Sequence, residues 1–133
     1  MQRIDEARTE LMAVADRFMV LGARWCLDDR QVVDLLGLQR PIHPMFDEDD
    51  VAVGVRMAGA DAERRMRLLV EIDVLLPRLV GDADAIPLWL RSPSVGYADE
   101  RVTPLVALAS GASAALALRN YLSEIGTGER MRA

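Results

Sequence analysis

The chain is poor in the side chains that build most self-contained catalytic and metal sites. It holds a single cysteine, Cys26, and a single histidine, His43. A disulfide within the chain is therefore impossible. A zinc site made by this chain alone is not expected either, because such sites need several thiolate or imidazole ligands. We accordingly predict neither a metal nor another cofactor.

Long apolar runs and lysine are also missing. No apolar stretch reaches the roughly eighteen residues that a membrane span needs, and no signal-peptide core opens the sequence. We therefore expect a cytoplasmic protein. All sixteen basic residues are arginine, which we attribute to the coding bias of the source genome before any function.

What the sequence does contain is typical of a small globular protein. Of its 133 residues, 51% are hydrophobic and 28% are charged, which excludes wholesale disorder. The length suits one compact domain or two interleaved small ones. Aromatic residues make up only 5% of the chain, so alanine, leucine and valine must fill most of the core. Apolar residues recur at helical spacing almost throughout, which predicts an all-α fold.

The first helix carries the clearest periodic pattern. Its apolar residues recur at alternating spacings of three and four, which places them on one helical face. They are Ile4, Ala7, Leu11, Val14, Phe18, Leu21 and Trp25. The simplest interpretation is an amphipathic helix that faces the core, and the same spacing also suits a heptad seam against a second copy of the chain.

The following residues have the outline of a helix-turn-helix. Asp28 or Asp29 can cap a two-turn helix over residues 30–36, and Gly37 supplies a left-handed stop. A short helix followed by a tight glycine corner is the spacing of that motif. The pattern therefore predicts a second, recognition helix directly after the corner.

The segment that would form the recognition helix, residues 39–46, is poorly suited to DNA. Its candidate DNA contacts are Arg40 and His43, but Pro44 lacks the N–H that a helix interior needs. Four acidic residues, 47–50, follow where phosphates would lie, and the first half of the chain holds seven arginines against eleven acids. Because phosphate contacts supply much of DNA affinity, we predict a degenerate motif whose DNA binding is weak or partner-dependent.

Residues 51–57 alternate between apolar and other residues with a period of two, which would suit a short strand. No other part of the sequence offers a partner strand. We therefore expect a loop or an irregular helix here.

The second half of the chain begins with a long helical pattern. Asp61 is the expected N-cap, and the apolar face continues as far as Gly81. Pro77 must kink this helix or end its regular part early. A short helix over residues 85–90 follows.

Two more helices complete the pattern. Thr103 and Pro104 form a strong helix start, because the hydroxyl can cap and the proline lacks only an N–H that would be unpaired there. The last helix is predicted over residues 113–125, with a stop at Gly126. Residues 127–133 show no packing pattern, and we expect a mobile tail unless a partner orders it.

No constellation of catalytic residues is apparent. Cys26 lies one residue beyond the apolar stripe of the first helix and reads as a small buried side chain, and His43 lies between prolines. Neither offers the pairing of nucleophile and base that covalent catalysis needs. The acidic run 47–50 lacks the alternation and the glycine turn of a calcium loop, and a glycine-rich phosphate loop is absent. We therefore expect no enzymatic activity.

Short motifs occur in a fixed order along the chain. They are Arg24-Trp-Cys-Leu-Asp-Asp, Asp34-Leu-Leu-Gly37, Arg65-Met-Arg-Leu-Leu-Val-Glu-Ile, Leu79-Val-Gly-Asp, Trp89-Leu-Arg-Ser-Pro93, Thr103-Pro-Leu, Ala109-Ser-Gly111 and Leu118-Arg-Asn-Tyr-Leu122. Together these motifs resemble the Xre/MbcA/ParS antitoxin family, and the resemblance covers residues 11–128.

The resemblance implies an organisation and a function. Residues 1–60 would form an Xre-like helical region with the degenerate helix-turn-helix, packed on a small helical toxin-binding domain with a mobile tail, residues 61–133. The protein would be a homodimeric antitoxin of a type II pair. It would neutralise a RES-type, NAD-consuming toxin by covering the toxin's active site. The predicted toxin-binding residues are Trp89, Arg91, Thr103, Pro104, Arg119, Tyr121, Arg130 and Arg132, of which the last two lie on the tail beyond the resemblance.

Alternatives stay open for these residues and for the function. Core packing explains Trp89 and Tyr121 at least as well, whereas Arg91 and Arg119 are favoured as partner contacts because arginine is seldom buried unpaired. A DNA-binding autoregulator of the same family is a second hypothesis, which predicts dimeric binding with steep salt dependence. A dimeric scaffold without toxin-neutralising activity is the third.

Overall fold

Helix follows helix along the chain, as the apolar spacing predicts. The computed structural model describes the backbone of residues 2–38, 48–93 and 102–132 and the side chains of residues 9–38, 51–93 and 102–125. The helices in these ranges are α1 (Gln2–Arg24), α2 (Asp29–Leu36), α3 (Glu48–Ala58), α4 (Ala60–Val80), a 3₁₀ turn (Ala83–Ala85), α5 (Ile86–Leu90), α6 (Pro104–Ala109) and α7 (Ala112–Arg132). No strand occurs in the described ranges. The all-α prediction is confirmed, and the helix-turn-helix packing stays a prediction because residues 39–46 lie outside the description.

The predicted stripe of α1 faces the core. Leu11, Phe18, Leu21 and Trp25 are buried, and Val14 is half-buried. The side chains of the first two members of the stripe lie outside the described residues. The amphipathic interpretation is therefore confirmed for the part of the stripe that can be followed.

The turn after α1 is a Schellman motif with a cysteine in the usual glycine position. The Leu27 N–H donates to the Gly22 carbonyl at 2.9 Å, and the Cys26 N–H donates to the Ala23 carbonyl at 3.2 Å. Cys26 adopts φ 58°, the left-handed conformation. The expectation of a buried thiol is wrong, since this turn places Cys26 at the exposed surface.

The predicted cap and stop of α2 are confirmed, and the helix begins at Asp29, one residue before the predicted range. Asp28 is the cap: its carboxylate accepts from the Gln31 N–H at 2.8 Å, and the Gln31 side chain accepts from the Asp28 N–H at 2.9 Å. This reciprocal pair is a capping box. Gly37 closes the helix at φ 68°.

Residues 51–57 belong to a regular helix, α3, so the expected loop or irregular helix is wrong. Val51 and Val55 are buried one turn apart, and Ala52 is buried beside them. A spacing of four residues fits both a period of two and one helical turn. The alternation in this short segment therefore could not separate a strand from a helix.

Helix α4 starts differently from the prediction and ends where it was expected to. It begins at Ala60 after Gly59, which has φ 112°, so Asp61 lies inside the helix instead of capping it. The helix runs through Pro77 to Val80, directly before Gly81, so an early end at Pro77 is wrong and a kink there stays a prediction. Proline removes only its own N–H, and the residues after it still donate backward: the Gly81 N–H reaches the Pro77 carbonyl at 2.8 Å.

The short elements after α4 begin at side-chain caps, and the cap predicted at Thr103 is confirmed. Asp82 accepts from the Asp84 N–H at 3.0 Å and starts the 3₁₀ turn that leads into α5. Thr103 accepts from the Val106 N–H at 3.3 Å and caps α6, with Pro104 in its first turn. Both starts therefore satisfy N–H groups that have no partner within the helix.

Helix α7 is longer than predicted. It begins at Ala112 and continues through Gly126 and Gly128 to Arg132, so the expected stop at Gly126 is wrong, and the mobility of the tail stays a prediction. Glycine weakens a helix but keeps the N–H and carbonyl that the helix needs. A glycine is therefore a stop signal only where the chain also turns.

The buried residues of both halves of the chain form one hydrophobic cluster. It includes Phe18 from α1, Trp25 directly after α1, Met66 and Ile72 from α4, and Leu118 from α7. Helix α4 packs against α1, α2, α3, α5 and α7. The proposed boundary between residues 60 and 61 falls within the first turn of α4, so the two predicted regions share this cluster.

Helices α4 and α7 run in the same direction. Arg65, near the start of α4, approaches Gly111 directly before α7: a Cβ built on Gly111 would lie 3.9 Å from Arg65 Nη2. Further along both helices, Arg119 pairs with Glu71 at 3.6 Å. The carboxyl ends of α4 and α7 therefore lie at the same end of the bundle, where α4 leads through the 3₁₀ turn to α5.

Candidate partner-binding face

The predicted toxin-binding residues come from three elements of the second half. Trp89 and Arg91 lie in and directly after α5, Thr103 and Pro104 start α6, and the others lie on α7. Helix α5 contacts α6, and α6 contacts α7. The fold thus arranges the three elements as successive neighbours, and we call this region the α5–α6–α7 face.

Arg91 is held by several hydrogen bonds within the fold. Its Nη1 donates to the carbonyls of Trp25 at 2.9 Å and Pro87 at 3.0 Å. Its Nη2 donates to the carbonyl of Cys26 at 2.7 Å and to Gln31 Oε1 at 3.4 Å. The residue is nevertheless exposed at the surface.

Two of the three carbonyls that Arg91 binds lie at the end of the first helix. Trp25 and Cys26 follow α1 directly, where carbonyl groups lack helical partners and the helix dipole favours a cation. Arg91 therefore joins α5 to the corner between α1 and α2. Its role as a partner contact stays a prediction, and any variant of it must be controlled for this internal role.

Arg119 is also engaged within the fold. It forms an ion pair with Glu71 of α4 at 3.6 Å, and its side chain is 35% exposed. Its Nε is buried and has no hydrogen-bond partner among the described residues. Part of the Arg119 guanidinium therefore remains at the surface, while the ion pair connects α7 to α4.

The remaining described candidates lie partly or wholly inside the fold. Trp89 and Tyr121 are half-buried and pack against the hydrophobic cluster. Pro104 is buried, and Thr103 serves as the cap of α6. These four residues therefore lie on the inner side of the α5–α6–α7 face. For Trp89 and Tyr121 this position agrees with the core-packing alternative.

Two exposed apolar residues on this face were not singled out by the sequence. Leu88 on α5 is 72% exposed and Val106 on α6 is 62% exposed. Leu88 lies between the buried Ile86 and Leu90. The sequence could have indicated these residues only as apolar positions outside the buried side of their helices. Helices of five and six residues are too short for apolar periodicity to define a buried side.

Four other candidates fall outside the described side chains. The backbone of Arg130 and Arg132 belongs to α7, but the structure does not describe their side chains. Arg40 and His43 lie in residues 39–47, outside the description. Their predicted roles are unchanged.

The described residues offer little for small-ligand or metal chemistry. Among them, no group of three or more histidine, cysteine or acidic residues is placed to hold a metal ion. A groove of about 150 Å³ lies between α1, α2 and α3 and is apolar. Its lining consists of Phe18, Met19, Gly22, Ala23, Leu27, Val32 and Val51.

No described helix is both long enough and apolar enough to cross a membrane.

Comparison with known proteins adds no relative, because no family model, curated protein or solved structure matches the chain. Its function must therefore be argued from its own residues and from the resemblance of its motifs.

Proposed function

We propose that this protein is an antitoxin that neutralises a RES-type, NAD-consuming toxin by binding it and covering its active site. The observation that carries the proposal is the pair of exposed apolar residues, Leu88 and Val106, on two helices that contact each other. Buried apolar residues at the centre of a contact surface supply much of the energy of protein association. Leu88 directly precedes Trp89 in the sequence, and Val106 lies three residues after Thr103, so both lie beside motifs of the family resemblance.

The direction of the helices supports the same proposal. Helix α5 follows the carboxyl end of α4, and α7 ends at that end of the bundle as well. The C-terminal segment, which the family resemblance implies would lie at or in the toxin's NAD pocket, would therefore leave the fold close to the α5–α6–α7 face. A single partner surface could then contact both the C-terminal segment and the α5–α6–α7 face.

Co-expression with the neighbouring reading frames tests the proposal. We expect a stable complex with a toxin and loss of that toxin's NAD consumption. The double variant Leu88→Asp with Val106→Asp should weaken the complex about tenfold or more, because it puts charge at the centre of the contact. The measurement is the dissociation constant together with NAD turnover.

The matched control is Val53→Asp with Met57→Asp. These two residues of α3 are 52% and 83% exposed, and the double substitution adds the same charge. It should leave the complex unchanged. Equal weakening by both double variants, or absence of any complex, would remove the proposed function.

A DNA-binding autoregulator is the alternative, and the capped α2 with its left-handed Gly37 favours it. We propose that operator binding, if it accompanies toxin binding, is carried by a homodimer and by Arg40 and His43. Binding to the promoter should then weaken steeply as the salt concentration rises. A dimeric scaffold would bind neither the toxin nor DNA.

A further inference from the structure

Helix α4 presents a row of side chains on the side that faces away from the core. The row consists of Arg64, Arg67, Glu71, Val74 and Arg78. Their spacings of three and four residues place them on one helical face. All five are exposed or half-buried, so this side of α4 remains open to solvent along most of the helix.

Helix α1 lies beside this row. Arg67 of α4 pairs with Glu10 of α1 at 3.1 Å. Further along both helices, Asp73 pairs with Arg24 at 2.7 Å. Arg17 lies seven residues from both Glu10 and Arg24 (17 − 10 and 24 − 17). Because seven residues are about two helical turns, Arg17 shares the side of α1 that meets α4.

The outer side of α1 and α4 combines exposed valines with unpaired arginines. Val20 is 51% exposed and Val74 is 69% exposed. Val20 lies one turn before the arginine that joins α1 to α4, and Val74 directly follows the carboxylate partner of that arginine. Three exposed arginines form no ion pair with any residue that the structure describes, namely Arg17, Arg64 and Arg78. We call these five residues the α1–α4 face, and none of them is a predicted toxin-binding residue.

The charge of this face favours an acidic protein partner. Its three unpaired arginines form a local positive excess in a chain of net charge −5. A nucleic-acid backbone fits less well, because Glu71 lies between Arg64 and Arg78 on the exposed side of α4 and would repel phosphates. The valines would gain nothing from phosphates, whereas apolar residues flanked by arginine are typical of protein interfaces.

We propose that the α1–α4 face binds an acidic amphipathic helix of a protein partner other than the toxin. Arg64 and Arg78 are fourteen residues apart (78 − 64), which separates them by about 21 Å along α4. A helix of about four turns, laid along the groove between α1 and α4, would place carboxylates near both arginines. Its apolar side would then cover Val20 and Val74. This binding does not depend on the proposed function.

The test uses the full chain and a designed, fluorescently labelled helical peptide of about fourteen residues. The peptide carries leucine on one helical face and glutamate elsewhere. We expect a dissociation constant below about 0.1 mM from fluorescence anisotropy, and no binding when lysine replaces glutamate. Weaker binding than this, equal binding of the lysine peptide, or tighter binding of random-sequence duplex DNA would overturn the proposal.

Charge reversal locates the binding site. Arg64→Glu with Arg78→Glu should weaken peptide binding about tenfold or more, because two attractive contacts become repulsive. The matched control is Arg30→Glu with Arg56→Glu, which makes the same change in net charge at two exposed arginines of α2 and α3. The control should bind the peptide as the wild-type protein does. Equal weakening by both double variants would exclude a site at the α1–α4 face.

The apolar part of the face is tested without a change in charge. Val20→Ser with Val74→Ser should weaken peptide binding about tenfold, because apolar surface is no longer buried. Val53→Ser with Met57→Ser removes exposed apolar side chains from α3 instead and should have no effect. Unchanged binding in the first variant would contradict the proposed apolar contact.

A final measurement separates this partner from the toxin. Arg64→Glu with Arg78→Glu should bind a co-purified toxin as tightly as the wild-type protein does. Loss of toxin binding would assign the α1–α4 face to the toxin and refute a second partner. Absence of any toxin complex would instead refute the proposed function, and the peptide experiments would still decide the present proposal.

Discussion

At the scale of single residues, the contact between Gly37 and Arg65 shows how one position can serve two purposes. Gly37 has φ 68° at the end of α2, which glycine adopts without steric cost. A Cβ at this position would lie 2.6 Å from Arg65 Nη1 and 2.8 Å from Cζ. Arg65 Nε lies 2.9 Å from Asp61 Oδ2 but makes no hydrogen bond, so a close ion pair and the packing against glycine hold the guanidinium.

Gly37→Ala should therefore destabilise the protein in two ways. The left-handed backbone alone costs about 1 kcal/mol for alanine. Displacement of Arg65, whose side chain is only 17% exposed, adds to that cost. In an Arg65→Ala background the same substitution should cost only the backbone share. The measurement is urea unfolding of the four proteins, and strictly additive free energies would contradict the proposed contact.

At the scale of elements, the ends of helices were easier to predict than their lengths. Asp28, Gly37 and Thr103 act through local hydrogen bonds or backbone conformation, which depend on a few neighbouring residues. The continuation of α4 through Pro77 depends on what packs beside that helix. Local capping signals therefore located the two ends of α2 and the start of α6, whereas tertiary packing decides whether a helix continues through a proline.

Arg91→Ala is expected to loosen α5 from the corner between α1 and α2. The substitution leaves the carbonyls of Trp25 and Cys26 without their donor, and we expect a loss of about 1–2 kcal/mol. Arg91→Lys should not restore it, because an ammonium cannot reproduce the planar arrangement of guanidinium donors. The measurement is amide hydrogen exchange of α5 together with the free energy of unfolding.

Arg91→Ala and Arg91→Lys also separate the structural role of Arg91 from a role in partner binding. Stability that is lost in the absence of a partner is due to the contacts of Arg91 within the fold. Rescue by lysine to the wild-type stability would show that charge near the end of α1 is sufficient, contrary to the expectation.

At the scale of the whole molecule, one hydrophobic cluster joins the regions that the resemblance divides at residue 60. Hydrogen bonds and ion pairs also cross this division. Asp73 of α4 accepts from Trp25 Nε1 at 2.9 Å and from Arg24 Nη1 at 2.7 Å, and Arg67 pairs with Glu10 at 3.1 Å. The hydrogen bond from Trp25 to Asp73 is structurally the most important of these contacts. Trp25 is buried, and an unpaired buried donor would lower the free energy of unfolding.

A fragment of residues 61–133 should consequently fail to fold cooperatively. Helix α4 packs against α1, α2 and α3, and their removal would expose its buried side chains to water. We expect a broad thermal transition and binding of a hydrophobic dye, in contrast to the full chain. A sharp, reversible transition of the fragment would instead support two independent domains.

The all-α class, the capped ends of α2 and α6 and the buried side of α1 followed from the sequence, because they depend on spacing and on hydrogen bonds between near neighbours. The sequence could not reveal that Arg91 binds the end of α1, that Arg65 rests on Gly37, or that Leu88 and Val106 remain exposed. Each of these features joins residues that are far apart in the chain or depends on which neighbour covers a short helix. Long-range packing alone brings such partners together, and the candidate partner-binding face is a product of that packing.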